Sequence, residues 1–266
     1  MRHVLVTGAA GGIGRAIAER FAAQGATLTL ADREPAPLDD LAAHLTTATT
    51  GVMTADLTDA DAPAELVSRA WAEQGPVDVL VNAAGVYPSL DMAELTAEAW
   101  DRLFAVNLRA PVLATAAYAR LAAARGEGGT VVNISSGSAL RARPGGGPYA
   151  SSKAALEMAT RAAALELGAH GIRVNAVSPG FVPVDSACNP VSEEYAAAIG
   201  ANPLGRPGTP EDIARAVCWI AGPEAAWITG EILRVDGGSS TGALHLPRIW
   251  PPATPAPADA TKGHPA

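Results

Sequence analysis

Thr7-Gly8-Ala9-Ala10-Gly11-Gly12-Ile13-Gly14 is the stretch that decides the fold, because it joins the aliphatic run Val4-Leu5-Val6 to a segment of helix-forming residues. Glycines are needed in such a turn so that it is tight, so that its backbone can approach a pyrophosphate, and so that the helix packs close to the strand. The anion then binds the unpaired N–H groups at the positive end of the helix. The stretch predicts a dinucleotide-binding unit with contacts from Gly8, Gly12, Ile13 and Gly14.

The next aliphatic run, Thr27–Ala31, ends at an acidic residue, Asp32, which follows Gly14 by 18 residues. A carboxylate at this point can accept hydrogen bonds from the ribose hydroxyls of the cofactor, and it repels a 2′-phosphate. Arg33 beside it could hold a 2′-phosphate, but the glycine turn supplies no second basic residue to help it. We therefore expect NAD as the cofactor and favour it over NADP.

Short aliphatic runs alternate with Ala-rich segments of helical length, which indicates βαβ units and a mainly parallel sheet. The expected strands are 3–7, 27–31, 50–54, 77–82, 129–135, 172–178 and 231–235. The expected helices lie near 12–24, 36–45, 60–74, 98–124, 150–169 and 210–222. The sequence predicts the α/β class: a doubly wound (Rossmann) sheet of about seven mainly parallel strands with helices on both faces, whose ligands bind beyond the carboxyl ends of the strands.

We expect one catalytic domain over residues 1–240, with two segments outside the regular alternation. Residues 180–208 have no clear period, and a loop of that length in a compact domain is usually a lid or a binding loop. The Pro- and Ala-rich tail over 241–266 is expected to be partly disordered, or to dock on a neighbouring subunit through Trp250.

Composition argues against several classes of protein. The formal charge of -8 and the lack of a Lys/Arg-rich block argue against a nucleic-acid partner. No apolar run is long enough to span a bilayer, and no signal-peptide pattern precedes Val4, so we expect a cytoplasmic protein without a membrane partner. Cys188 and Cys218 have neither a metal-ligand nor a redox spacing, so we expect two free thiols and no metal site.

Residues 149–153 read Tyr-Ala-Ser-Ser-Lys at the head of an Ala-rich segment. An i, i+4 pair shares one face of a helix, so the ammonium of Lys153 can lie near the ring of Tyr149. The ordinary pKa of a tyrosine is about 10, and a neighbouring cation lowers that pKa by favouring the phenolate. The pair is a candidate acid/base, although Tyr-x-x-x-Lys by itself is usually an ordinary surface pair.

The run Val131–Ser136, before the tyrosine, predicts a strand that ends in hydroxyl groups. A serine at the carboxyl edge of a sheet can hydrogen-bond a substrate oxygen and stabilise the charge that develops on it. Ser136 is therefore a candidate for orienting the substrate.

Taken together, these residues resemble the short-chain dehydrogenase/reductase family over residues 2–240. The family pattern is matched by the glycine turn, Asp56, Asn82-Ala83-Ala84-Gly85, Asn107, Ser136, Tyr149, Lys153 and Pro179-Gly180. The segments Gly205–Ile213, Ile228-Thr229-Gly230 and Val235–Gly238 also resemble family motifs. The resemblance implies an oxidoreductase that moves a hydride between a nicotinamide and a small-molecule secondary alcohol or ketone, acting as a homo-oligomer, either a tetramer or a dimer.

The resemblance also implies a role for each catalytic candidate. Tyr149 would be the general acid/base, and Lys153 would lower its pKa and hold the nicotinamide ribose. Ser136 would orient the substrate oxygen. Asn107 would position Lys153 through a water, unless it is only a polar residue in a helix.

Further cofactor contacts follow from the same resemblance. Asp56, with Leu57 beside it, would contact the adenine, unless Asp56 only caps a helix. Asn82, Ala83 and Gly85 would flank the cofactor. Pro179, Gly180 and Val182 would complete the cofactor site after the sixth strand.

Two positions depart from the family pattern, and both lie near the expected substrate. Val184 stands where the family usually has a threonine that contacts the nicotinamide amide, and Ala139 stands where a glycine is common. Substrate contacts are expected from Tyr87, Ser136, Ser138, Tyr149 and Val184. Arg141 and Arg143 could bind a carboxylate or a phosphate, although solvated surface arginines are the commoner case.

Other functions fit parts of the sequence. Gly8, Gly11 and Gly14 also satisfy the glycine spacing of extended sugar-nucleotide epimerases and dehydratases, but we expect the chain after Lys153 to be too short for their added substrate domain. A non-catalytic nucleotide-sensing protein is expected to lack the tyrosine–lysine pair, which is present here. Enoyl reductases of the family place their tyrosine and lysine farther apart.

Overall fold

In the computed structural model, which describes residues 2–46, 48–184, 193–244 and 246–247 (only the backbone of 195 and 197), seven strands form one parallel sheet. They are β1 (His3–Thr7), β2 (Thr27–Asp32), β3 (Thr50–Thr54), β4 (Val79–Asn82), β5 (Gly129–Ile134), β6 (Ile172–Pro179) and β7 (Ile232–Val235). Their order across the sheet is β3-β2-β1-β4-β5-β6-β7. The predicted doubly wound sheet is confirmed, and its strand order reverses between β1 and β4, where such sheets bind their ligands.

Eight helices of the described residues cover the two faces of the sheet. They are α1 (Gly12–Ala23), α2 (Pro35–His44), α3 (Ala62–Gln74), α4 (Ala97–Phe104), α5 (Ala110–Arg125), α6 (Gly147–Leu167), α7 (Glu193–Gly200) and α8 (Pro210–Ala221). One apolar core joins the sheet to α1, α2 and α8, and a second joins it to α3, α5 and α6. None of the described helices is long and apolar enough to cross a membrane.

The strands are aliphatic because both of their faces are buried, as in other parallel sheets. In β1, Val4 and Val6 pack into the first core, whereas Leu5 points to the opposite face and packs into the second. Because both faces are covered, a ligand can bind only at the ends of the strands, and in doubly wound sheets it binds at their carboxyl ends.

The segment expected to be one helix near 98–124 is divided by a π-helical turn at Ala105–Arg109. The cause is Pro111, which has no N–H to donate to the carbonyl of Asn107 and whose ring crowds that carbonyl. The N–H of Ala110 instead donates to the carbonyl of Ala105. The turn holds Asn107 at the inner side of the helix, and such turns are frequent at functional sites.

The segment 180–208, in which the sequence has no clear period, contains the eight-residue helix α7. Two helical turns are too short for an amphipathic pattern to stand out between loops. Cys188 and most of the tail, including Trp250, lie outside the described residues, whereas Cys218 is buried with a free thiol.

Candidate active site

The glycine turn between β1 and α1 is formed as the sequence predicts. Gly8 has a φ of +67°, and a Cβ on it would lie 2.6 Å from the backbone of Ala84. A Cβ on Gly14 would overlap the carbonyl oxygen of Gly8, so neither position accepts a side chain. The first turn of α1 carries no acidic residue. The turn thus leaves the positive end of α1 open at the edge of the sheet, where it suits a pyrophosphate.

Asp32 ends β2 beside this turn. Its Oδ2 accepts a hydrogen bond from the N–H of Ala10 over 3.0 Å, and its Oδ1 accepts one from the N–H of Arg33 over 2.7 Å. The side chain of Arg33 forms an exposed ion pair with Glu34, with 3.0 Å between Nε and Oε1. The carboxylate of Asp32 is therefore hydrogen-bonded to the backbone of the glycine turn, whereas the guanidinium of Arg33 is ion-paired with Glu34.

Asp56 caps a turn rather than a helix. Its Oδ1 accepts hydrogen bonds from the N–H and the hydroxyl of Thr58, over 2.9 and 2.8 Å, and these bonds lower the pKa of the carboxyl group. The next helix, α3, has Asp61 at its N-cap position. Leu57 lines a small cavity below the glycine turn, together with Thr7 and Ala84.

The side chain of Asn82 is buried and forms hydrogen bonds within the protein interior. Its Nδ2 donates to the Oδ1 of Asn133 over 2.8 Å, and the Nδ2 of Asn133 donates to the hydroxyl of Thr160 over 2.9 Å. This chain of buried amides ties β4 and β5 to α6. The following residues, Ala83 and Ala84, donate their N–H groups to the hydroxyl of Thr7 and so fix the turn that ends at Gly85.

The segment after β6 folds back over the glycine turn. Pro179 is the last residue of β6. The next residue, Gly180, packs so closely on Asp236 that a Cβ on the glycine would lie 2.7 Å from the Cα of Asp236. Val182 packs against Gly208. Val184 lies against Gly12, where a Cβ would be 2.6 Å from its Cγ1. Val184 therefore lies next to the glycine turn.

Tyr149 and Lys153 occupy the first two turns of α6. The ammonium of Lys153 lies 5.9 Å from the centre of the Tyr149 ring, and it donates to the carbonyl of Ile134 over 2.8 Å. Only 4% of the lysine is exposed, and this burial lowers its pKa to about 8. The cation is therefore held beside the tyrosine by the last residue of β5.

Ser136 follows the end of β5 and accepts a hydrogen bond from the N–H of Ser138 over 3.1 Å. A hydroxyl has one donor and two acceptor sites, so this bond leaves its hydrogen for a substrate oxygen. On the opposite side, the ring of Tyr87 lies 6.1 Å from that of Tyr149, centre to centre. Ser136 directly follows β5, and Tyr149 lies beside Lys153, which is bonded to the last residue of the same strand.

Asn107 is fully buried and reaches α6 through Ser152. Its Nδ2 donates to the hydroxyl of Ser152 over 3.2 Å, and that hydroxyl donates to the carbonyl of Tyr149 over 2.7 Å. A Cβ on Gly85 would lie 3.5 Å from the Oδ1 of Asn107 and 3.6 Å from the ammonium of Lys153. Gly85 therefore lies between the asparagine and the lysine and lets them approach each other.

Two supporting residues were missed by the sequence analysis, Ser152 and Glu157. The carboxylate of Glu157, only 6% exposed, accepts a hydrogen bond from the hydroxyl of Ser135 over 2.8 Å. Glu157 follows Lys153 by four residues, and that helical spacing was the available signal. Two hydrogen bonds therefore join α6 to the end of β5: Lys153 donates to Ile134, and Glu157 accepts from Ser135. Together they fix the chain just before Ser136.

Among the described residues there is no group of three or more His, Cys, Asp or Glu side chains that could hold a metal ion.

Comparison with known proteins identifies the family. A family model described as enoyl-(acyl carrier protein) reductase matches residues 8–240. Galactitol 2-dehydrogenase (L-tagatose-forming) from Cereibacter sphaeroides is 39% identical over 237 residues, which cover 88% of this chain and 92% of that protein. Human L-xylulose reductase is 39% identical over 241 residues, which cover 89% of this chain and 96% of that protein.

A solved structure of a blue fluorescent protein from a metagenomic library, in complex with NADPH, has a TM-score of 0.82 and 35% identity to this chain. The match covers 90% of this chain and 98% of that one. Other solved structures that match over nine tenths of the chain include a short-chain dehydrogenase/reductase family protein. The chain belongs to the short-chain dehydrogenase/reductase family and is an oxidoreductase.

Proposed function

We propose that this protein is an NAD-dependent dehydrogenase that interconverts a secondary alcohol and a ketone, with Tyr149 as the general acid/base. The observation that carries the proposal is the buried ammonium of Lys153, 5.9 Å from the tyrosine ring and one helical turn along α6. An ammonium in that position favours the phenolate, which is the base that alcohol oxidation needs.

In this mechanism Ser136 donates a hydrogen bond to the substrate oxygen, and Tyr149 takes the hydroxyl proton of the alcohol. The nicotinamide, when bound, supplies the hydride acceptor. Its pyrophosphate would be held by Gly12, Ile13 and Gly14, because the cradle at Gly8 and Gly14 has no room for a side chain. In the direction of reduction, Tyr149 returns the proton to the carbonyl oxygen. Tyr149 therefore takes up one proton in each oxidation and must release it before the next turnover.

The proposed preference for NAD rests on Asp32. Its carboxylate is bonded to the N–H of Ala10 in the glycine turn, so a 2′-phosphate on the adenine ribose would approach a negative charge. Arg33, the residue that could attract a phosphate, is paired with Glu34. Because one similar protein was solved in complex with NADPH, the preference for NAD or NADP is the first property to measure.

The names of the relatives support a polyol or sugar substrate. Galactitol 2-dehydrogenase and L-xylulose reductase both act at a carbon that is a secondary alcohol in one form and a ketone in the other. The description of the matching family model favours a second candidate, reduction of an enoyl thioester. The four-residue spacing of Tyr149 and Lys153 argues for the first.

Residues 1–240 are proposed to act as one catalytic unit within a homo-oligomer. Three apolar side chains on α5 and α6 face outward and support an interface with a second copy: Val112, Met158 and Leu165, which are 40, 62 and 85% exposed. A contact through the tail beyond residue 240 would add to this interface.

Absorbance of the reduced nicotinamide tests the proposal directly. Galactitol, xylitol, sorbitol and cyclic diols are offered with NAD and with NADP in turn, and the matching ketoses and a crotonyl thioester are offered with the reduced cofactors. We expect oxidation of at least one alcohol with NAD, and a loss on the order of 10² to 10⁴ in kcat for Tyr149→Phe with cofactor binding retained. Turnover of the thioester alone, or an unaffected Tyr149→Phe, would contradict it.

A further inference from the structure

Arg143 lies in the loop between the two proposed catalytic residues Ser136 and Tyr149, and its side chain turns toward them. The guanidinium donates from Nη2 to the hydroxyl of Ser138 over 2.8 Å. The N–H of Ser138 in turn donates to the hydroxyl of Ser136 over 3.1 Å. The arginine is thus connected through one residue to the group that orients the substrate oxygen.

The side chain of the neighbouring arginine, Arg141, points to a different part of the protein. Arg141 is exposed, and its Nη2 donates to the carbonyl of Ser239 over 3.2 Å, so it fastens the loop to the segment after β7. Arg143 is half-buried. Of the two arginines that the sequence offered for binding an anion, only Arg143 has its guanidinium at Ser138.

A glycine-rich turn packs against the aliphatic part of the Arg143 side chain and helps to orient it toward Ser138. The residues that follow it are Pro144-Gly145-Gly146-Gly147, and Gly145 has a φ of +70°. A Cβ on Gly146 would lie 3.0 Å from the Cγ of Arg143, so the methylene groups of the arginine pack directly on the glycine backbone. Because α6 starts at Gly147, the turn that supports Arg143 also leads directly into the helix of Tyr149.

The charge along this part of the chain is positive. From Gly128 to Leu156 the sequence carries Arg141, Arg143 and Lys153 but no aspartate or glutamate, in a protein whose formal charge is -8. Among the residues that the structure describes, Asp91 is an exposed acid near this turn, with its Oδ1 3.9 Å from where a Cβ on Gly145 would lie. The planar fork of a guanidinium matches the two oxygens of a carboxylate.

We propose that Arg143 is a specificity-determining residue that binds a carboxylate on the substrate, so that the preferred substrates are secondary alcohols or ketones that carry an acid group away from the reacting carbon. The inference rests on the proposed function, since it concerns the same site. It narrows the substrate class from secondary alcohols and ketones in general to hydroxy and keto acids.

Matched substrate pairs test it, because they share one reacting carbon and differ only in charge. We use 3-hydroxybutanoate with 3-hydroxybutanamide, and 4-hydroxycyclohexanecarboxylate with its carboxamide, so that two spacings between carbinol and acid are covered. The ratio of kcat/KM for acid over amide is measured in the wild type, Arg143→Gln, Arg143→Lys and Arg141→Gln. The last variant is the matched control, since it removes the same charge from the same loop.

We expect the wild type to prefer the acid of at least one pair, and Arg143→Gln to lower the ratio about 10- to 100-fold, mainly through KM. Arg143→Lys should restore part of the preference, whereas Arg141→Gln should leave it unchanged. A merely structural role for Arg143 would lower the activity on acid and amide alike and keep the ratio. Equal use of acid and amide by the wild type overturns the inference and leaves the proposed function standing. Absence of turnover with every alcohol, including the polyols, overturns both.

Discussion

Asn107 and Val86 exchange two hydrogen bonds: the Nδ2 of the asparagine donates to the Val86 carbonyl over 2.7 Å, and the Val86 N–H donates to Oδ1 over 2.9 Å. The side-chain amide thereby pairs with the backbone as a neighbouring strand would. Its remaining Nδ2 hydrogen reaches Ser152 on α6. One buried side chain thus joins the π turn, the loop after β4 and the helix of Tyr149.

Asn107→Asp is expected to destabilise the protein, because it replaces both N–H donors by an acceptor that faces the carbonyl of Val86. A buried polar group that loses its partner costs about 1 to 3 kcal/mol, and each kcal/mol lowers the Tm of a chain of this size by roughly 2 to 4 °C. Thermal unfolding measures the change. Ser151→Ala, an exposed change on α6 next to Ser152, is the control and should leave the Tm unaltered; an equal Tm for Asn107→Asp would mean that the three-way connection is not structural.

The sequence sufficed for those site residues whose type is fixed by backbone geometry or by position at a strand end. Gly8 and Gly14 have no room for a side chain, and Asp32 follows a buried strand, so their positions in the fold could be predicted. Ser152 and Glu157 could not, because a polar residue in an Ala-rich helix does not reveal its partner.

The path of the segment after β6 could not be predicted from the sequence either. Val184 packs on Gly12, and this contact could not be predicted, because a loop without a period has no register that fixes where each side chain points. The π turn was missed although its cause, Pro111, stands in the sequence four residues after Asn107. A proline inside a helical pattern indicates an irregularity, but not whether the helix kinks, ends or widens.

Asp32→Asn is expected to relax the preference for NAD. The amide oxygen can still accept the hydrogen bond from Ala10, so the glycine turn keeps its shape while the charge that repels a 2′-phosphate is lost. We expect the ratio of kcat/KM for NAD over NADP to fall at least about tenfold, equivalent to about 1.4 kcal/mol. Asp40→Asn, an exposed change on α2, is the charge control. An unaltered ratio would assign the discrimination to another residue.

His3 is expected to make the protein less stable in acid. Its Nδ1 lies 2.9 Å from the carbonyl oxygen of Gly75, to which it donates, and its Nε2 lies 2.9 Å from the hydroxyl of Thr29, from which a neutral ring accepts. Burial lowers the pKa of His3 below its usual 6.5, despite the opposing charge of Asp78. The stabilisation is therefore complete above about pH 6.5 and is lost as the pH falls toward the lowered pKa.

Urea unfolding at pH 7.5 and pH 5 measures this effect. His3→Gln should lower the free energy of unfolding at pH 7.5 and show a smaller further loss at pH 5 than the wild type does. His170→Gln, which removes an exposed imidazole, should follow the wild type at both pH values. If His3→Gln loses as much stability on acidification as the wild type, other groups determine the acid sensitivity.

Lys153→Met is expected to stabilise the apo-protein while it abolishes turnover. Burial lowers the pKa of this lysine from 10.5 to about 8, so the folded state holds the ammonium at a cost of about 3 kcal/mol. Methionine removes that cost but leaves the carbonyl of Ile134 without its donor, which costs about 1 to 3 kcal/mol, so the net gain at pH 7 is at most about 2 kcal/mol. The cost of the ammonium is complete below pH 8 and disappears as the pH rises to 10.5, so the stability of Lys153→Met relative to the wild type must fall over that interval. Urea unfolding of both proteins at pH 7 and pH 10 measures it; a relative stability of Lys153→Met that stays constant or rises from pH 7 to pH 10 would show that the ammonium is not held in the fold at the expense of stability.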